Sequence, residues 1–108
     1  MPRYISFLKY SAEGNKGFLK ERAAAREAAA RKAYESAGGR LEAIYWAATG
    51  EHTFFAIGEF PDSASCAAFT ALANASGAFA HTQGVEILTS SEIDKALAKS
   101  MSYRPPGG

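Results

Sequence analysis

At 108 residues, with twelve Lys and Arg against eleven Asp and Glu and a formal net charge of +1, the chain makes one domain with a modest core. It carries no global field to draw in nucleic acid, anionic lipid or a highly charged substrate. Its single cysteine, Cys66, excludes an internal disulfide, and no Cys/His cluster has zinc-ligand spacing, so a reducing cytoplasm and no metal or other cofactor are expected. The opening Met-Pro-Arg-Tyr-Ile-Ser-Phe-Leu-Lys-Tyr lacks the apolar core of a signal peptide, and no run of about eighteen apolar residues occurs, which predicts a cytoplasmic chain without a membrane partner.

In chain order, Arg3 to Tyr10 gathers aromatic and β-branched residues in a short run closed by Ser-Ala-Glu-Gly. This predicts a first strand with Ile5 and Phe7 on one face and Tyr4, Leu8 and Tyr10 on the other. A strand apolar on both faces is central and covered twice. From about Lys16 to Ala37 the composition turns to Ala, Arg, Glu and Lys, which predicts one long helix ending at Gly38-Gly39. Leu19, Ala23, Ala30, Ala33 and Ala37 form its apolar stripe, and Glu27, Arg31 and Glu35 its four-spaced ion pairs. Arg40–Ala47 and Glu51–Phe60 read as hairpin strands around an Ala-Thr-Gly-Glu turn. Pro61-Asp62-Ser63 then stops the chain and caps a second helix, with Ala64, Ala68, Leu72 and Ala75 as its buried stripe and Gly77 near its end. His81 to Leu88 reads as a fourth strand. Thr89-Ser-Ser-Glu92 is a capping box that opens a third helix, about 90–100, with Ile93 and Leu97 as its apolar patch. Residues 1–100 form the domain and 101–108 a frayed tail.

The order strand, helix, strand, strand, helix, strand, plus an extra helix, is the α+β, ferredoxin-like βαββαβ arrangement. Right-handed crossovers put both long helices on one face of a four-stranded antiparallel sheet, with the first and third strands central. The other face is bare. Strands of five or six residues at about 3.3 Å per residue and about 4.8 Å apart leave on the order of 350 Å² uncovered, near the largest patch a monomer shows. A two-fold homodimer through that face is therefore expected, with Phe54 among the residues lining it.

Pro2-Arg-Tyr-Ile-Ser-Phe-Leu-Lys-Tyr10, the Ala-Arg-Lys helix closing on Gly38-Gly39, Tyr45-Trp46, Gly50-Glu51, and Phe55-Ala-Ile57 leading to Pro61-Asp62 together resemble the GYD domain family, over nearly the whole chain to about Leu97. The family's signature falls on Gly50-Glu51-His52-Thr53, where His52 stands in place of the tyrosine and Thr53 in place of the aspartate. The resemblance implies a dimeric α/β barrel in which two ferredoxin-like sheets face one another.

For chemistry, His52 is the leading candidate, read at the start of a central strand on the face of Phe54 and Ala56, beside Glu51 and near Trp46 across the turn. A lone histidine at a strand end is commonly just hydrogen-bonded or exposed. His81 carries less weight, and two histidines do not make a metal site. Tyr4, Tyr10, Tyr45, Trp46, Phe54 and Phe55 read as core or dimer-face residues whose Tyr and Trp tips could orient a ligand. Cys66 reads as a small buried hydrophobe, and the Arg22, Arg26, Arg31, Lys32 stretch as a solvated helix face. No phosphate loop, nucleophile elbow or HExxH motif occurs. The expected function is a homodimer that binds a small apolar or aromatic molecule between its paired sheets, with His52, Trp46, Phe54, Tyr10 and Glu51 as ligand-binding residues. A ligand-free interaction module and a cofactor-free oxygenase or isomerase, the latter by fold analogy alone, stand as alternatives. RNA binding is disfavoured, because Thr53-Phe-Phe-Ala-Ile lacks the basic-glycine-aromatic pattern of an RNA-recognition strand.

Overall fold

The computed structural model describes residues 1–108. The elements are β1 (Arg3–Tyr10), α1 (Ala12–Glu21), α2 (Ala23–Ser36), β2 (Arg40–Trp46), β3 (Phe54–Glu59), α3 (Ser63–Ala75), β4 (Phe79–Ile87) and α4 (Ser90–Leu97). The sheet runs β2-β3-β1-β4 with every pair antiparallel, so β1 and β3 are central, as the element order requires.

The long helix expected over 16–37 is two helices. Ser11 ends β1 and caps α1, its hydroxyl accepting the Gly14 amide at 3.1 Å and donating to the Gly77 carbonyl at 2.6 Å. The break falls at Arg22, whose φ of 77° makes it the only non-glycine residue in the left-handed region. Helical phase supplies a reason for it. Phe18 stacks on Trp46 and Tyr34 stacks on Phe60, both against the same side of the sheet. Sixteen residues of unbroken helix, at about 100° each, would point those two rings about 160° apart. Leu19, placed on the apolar stripe by its spacing, is 64% exposed.

Tyr34 anchors the core. It packs with Leu41, Ala56 and Phe60, flanked by Tyr4, Leu8, Ala30, Ala37, Cys66 and Phe69. Beneath it lies Gly58, where an added Cβ would meet the Tyr34 ring at 2.6 Å. The α2 terminus is closed by Gly38 at φ 81°, with the Gly39 amide donating to the Tyr34 carbonyl at 2.9 Å. Burial pushes the Tyr34 phenol above its ordinary pKa, partly opposed by a hydrogen bond with Ser6. A tyrosine that ionises more easily unfolded than folded contributes stability below its unfolded pKa of about 10, and that stability is lost as pH rises through the folded value. Alkaline unfolding followed by circular dichroism should therefore set in above about pH 10 and shift upward in Tyr34→Phe relative to that variant's own neutral-pH stability.

The second long helix presents a different face from the one expected. Asp62 caps α3, its carboxylate accepting the Ser65 amide at 2.8 Å, and these hydrogen bonds hold the Asp62 carboxyl below its usual range. Cys66, Phe69 and Ala73 are half-buried at steps of three and four, whereas Ala64, Ala68, Leu72 and Ala75 are exposed. Phe69 sets the phase because its ring meets both Tyr34 and Phe60. In α4 the capping box forms as read: Thr89 Oγ1 accepts the Glu92 amide at 3.2 Å and Glu92 Oε1 accepts the Thr89 amide at 2.9 Å. The helix ends at Leu97, short of the expected Ser100.

Directly paired residues share a side of the sheet. Ile5 lies between Ile57 and Val85, and Phe7 between Phe55 and Gln83, all on the side without helices. Phe54 lies on the opposite side, 6% exposed among Tyr10, Trp46 and Phe79. Its expected place on the bare face is thus corrected. Phe54 pairs with Leu8 and Trp46, whose side chains face the helices, and Gly50, at φ 94°, turns the chain before β3.

Candidate functional site

The five residues expected to meet at one ligand site divide between the two sides of the sheet. Tyr10, Trp46 and Phe54 lie on the helix side, with ring centroids 5.3 Å apart for Tyr10 and Phe54 and 4.9 Å for Trp46 and Phe54. Phe18 closes this cluster from α1, parallel to Trp46 at 4.8 Å, and Phe79 closes it from β4. Arg26 pairs with Glu21 at 3.3 Å, and Tyr10 together with Glu21 beside it raises the pKa of its guanidinium further. The rings fill the space between them, while an open cleft of about 240 Å³ lies outside, bounded by Tyr10, Gly14, Gly17, Phe18 and Arg26.

His52 is on the other side. Its ring centroid lies 5.7 Å from Phe7, 5.8 Å from Phe55 and 6.1 Å from His81. The strand reading that put His52 with Phe54 and Ala56 is corrected by the loop: residues 51–53 precede β3 and leave the pleat. Thr53 makes that departure possible. Its amide donates to the Leu8 carbonyl at 2.7 Å, and its hydroxyl accepts the Tyr10 amide at 3.0 Å, where β1 shifts register between Lys9 and Tyr10 and would otherwise leave an amide unpaired. Glu51 brings Oε1 to 4.0 Å from His52 Nε2, outside hydrogen-bond reach, and remains largely exposed.

The helix-free face therefore has three zones. Its middle is apolar: Ile5, Phe7, Phe55, Ile57 and Val85, with Phe7 and Phe55 meeting edge to face at 5.5 Å. One end carries an ion network in which Arg3 and Arg40 each contact Glu42 and Glu59 at 2.9 to 3.6 Å. The other end carries His52 and His81, with Lys9 paired beside His81. Phe7, Phe55 and His81 were not expected beside His52, because only the β1–β3 and β1–β4 registers show that they are neighbours. No group of three or more His, Cys, Asp or Glu converges anywhere. Burial raises the Cys66 thiol pKa, which favours the protonated thiol. A second, larger cavity of about 460 Å³ opens between the start of β1 and the entry to α4, lined in part by Arg3, Glu59, Glu86 and Glu92.

A family model, GYD domain, matches residues 4–97, a span that includes the glycine at φ 94°, the bulge-pairing Thr53 and the flanking strands. The chain belongs to the GYD domain family. Thr53, where the resemblance puts the signature aspartate, secures β1 to the loop before β3 through its hydroxyl. Among solved structures, this GYD domain is similar to PA3566 from Pseudomonas aeruginosa, at a TM-score of 0.52 and 11% identity over 82% of this chain and 93% of that one. It is also similar to an uncharacterized NIPSNAP-like domain protein from Burkholderia xenovorans (TM-score 0.49, 16% identity, 97% and 89% covered). A third is a MhuD mutant with two manganese protoporphyrin IX molecules bound per active site (TM-score 0.45, 16% identity, 83% and 95% covered). At these identities the likeness is one of fold. No curated protein sequence matches this GYD domain. No helix is long and apolar enough to cross a membrane.

Proposed function

We propose that this GYD domain is a homodimer that packs the helix-free faces of two sheets together and binds a small apolar or aromatic molecule at the histidine end of that interface. The observation that carries the reading is the apolar middle of the face, Ile5, Phe7, Phe55, Ile57 and Val85, in a chain that buries only seven residues. So small a core leaves the subunit marginal, and a second copy is a self-complementary way to cover the remaining surface. The ligand position follows from type and place. Phe7 and Phe55 offer aromatic walls, while His52 and His81 offer nitrogen donors or acceptors to a polar group on the bound molecule. The Tyr10, Trp46 and Phe54 cluster becomes structural in this reading, because its rings occupy the space a ligand would need.

The edge-to-face Phe7–Phe55 pair favours a second reading, an interaction module whose barrel is filled by its own side chains. One experiment separates the two. Screened by thermal shift against small phenols, aromatic acids and flat heterocycles, the wild-type dimer should be stabilised by at least one class. His52→Ala should abolish that shift while leaving mass and unliganded melting temperature unchanged. An unchanged ligand-induced shift in His52→Ala would move the site elsewhere, and a screen without hits would favour the filled module.

A further inference from the structure

We infer that α4 and the segment after it, residues 90–108, form an arm that docks on a second copy of this chain and supplies contact area that the sheet faces lack. The inference rests on the homodimer proposed above and adds a surface to it.

An eight-residue helix does not hold in water on its own; helices shorter than about 12–15 residues need an apolar face packed against something. The capping box fixes where α4 starts but buries nothing. Ile93 and Leu97, four apart on one stripe, are 44% and 77% exposed, and Met101 and Tyr103 beyond them are more exposed still. The subunit offers them no seat, since α4 makes no substantial packing with any strand or other helix. The shape agrees: the longest extent is 53 Å and the radius of gyration 16.7 Å, against about 13 Å for a compact chain of this length.

Area selects the second copy as the occupant. With strands of eight, seven, six and nine residues, two bare faces of on the order of 475 Å² bury about 950 Å² in total, whereas a stable interface starts at about 1,200 Å². The shortfall is about 125 Å² per copy, roughly one or two aliphatic side chains. Ile93 and Leu97 supply that, with Met101 and Tyr103 beyond them. Two-fold symmetry makes each copy both give and receive an arm, so every apolar residue counts twice. The arm's charges, Glu92, Asp94, Lys95, Lys99 and Arg104, are mixed in sign and give no field that would select nucleic acid or an anionic membrane.

The test uses the full chain with Ile93→Asp and Leu97→Asp together, neither of which touches the sheet face or the histidines. In sedimentation equilibrium the dissociation constant of the dimer should rise by about a hundredfold or more, because four apolar side chains per dimer lose their burial. A wild-type dimer whose constant is unchanged in the double variant overturns the arm and leaves the face-to-face dimer standing; a monomeric wild type overturns both. Because the substitutions also bear on α4 itself, dimers mixed from ¹³C-labelled and unlabelled copies give an independent reading. Isotope-filtered NOEs from the Leu97 methyls should reach the partner, and NOEs confined to their own subunit would overturn the arm.

Discussion

Phe55→Glu should convert the proposed dimer to a monomer at every concentration that gel filtration can reach. Phe55 sits on β3 in the middle of the helix-free face, paired with Phe7 on one side and Tyr45 on the other. Its loss removes two buried aromatics per dimer, about 1.5–3 kcal/mol each, and so weakens association by a hundredfold to more than a thousandfold. Two carboxylates left unpaired in an apolar interface oppose it further. The subunit core lies on the other side of the sheet, so the variant should keep the wild-type circular dichroism spectrum while melting at a lower temperature than the associated wild type. The neighbouring substitution is the contrast. Phe54→Glu puts a charge among Tyr10, Trp46 and Phe79, and should leave no folded protein to associate. If both variants behave alike, the assignment of faces is wrong.

Tyr34→Ala should cost about 3–5 kcal/mol, which is most of the stability a domain of this size has. Tyr34 stacks on Phe60 at 4.8 Å, meets Phe69 at 5.1 Å and covers Gly58, so truncation opens a hole at the one place where α2, α3 and the sheet converge. Urea denaturation followed by circular dichroism measures this, and Leu72→Ala is the control. Leu72 is 75% exposed on α3 and its truncation should shift the midpoint by little. A large loss at Leu72 with none at Tyr34 would mean that α3 packs by the stripe its alanines suggest.

The sheet was legible because strand signals depend on local alternation and on turn residues. The edges of the elements were less so. α1 and α2 read as one helix because no glycine or proline marks Arg22; the break comes from two rings, Phe18 and Tyr34, that must reach the same sheet. α3 was read one step out of phase because alanine is equally at home inside and outside, and only the tertiary contacts of Phe69 decide its orientation. The site followed the same rule. His52 was visible as a titratable group beside a glycine turn, but its neighbours come from β1, β3 and β4, and a single residue of loop before Phe54 was enough to move it to the other face. His81 pairs with Lys9 through a register that no local pattern announces. Tyr34 gave no signal in a stretch of alanines and charges, although an aromatic alone on a helix that must lie on a sheet is a fair marker of its buried side.

Light scattering during gel filtration of the wild-type chain at low micromolar concentration tests the central claim most directly. Two copies of 11.5 kDa should elute as one species of about 23 kDa that persists on tenfold dilution. A single species of 11.5 kDa, stable to heat and binding no apolar dye, would mean that the helix-free face stands in water alone and that no interface exists for a ligand to occupy.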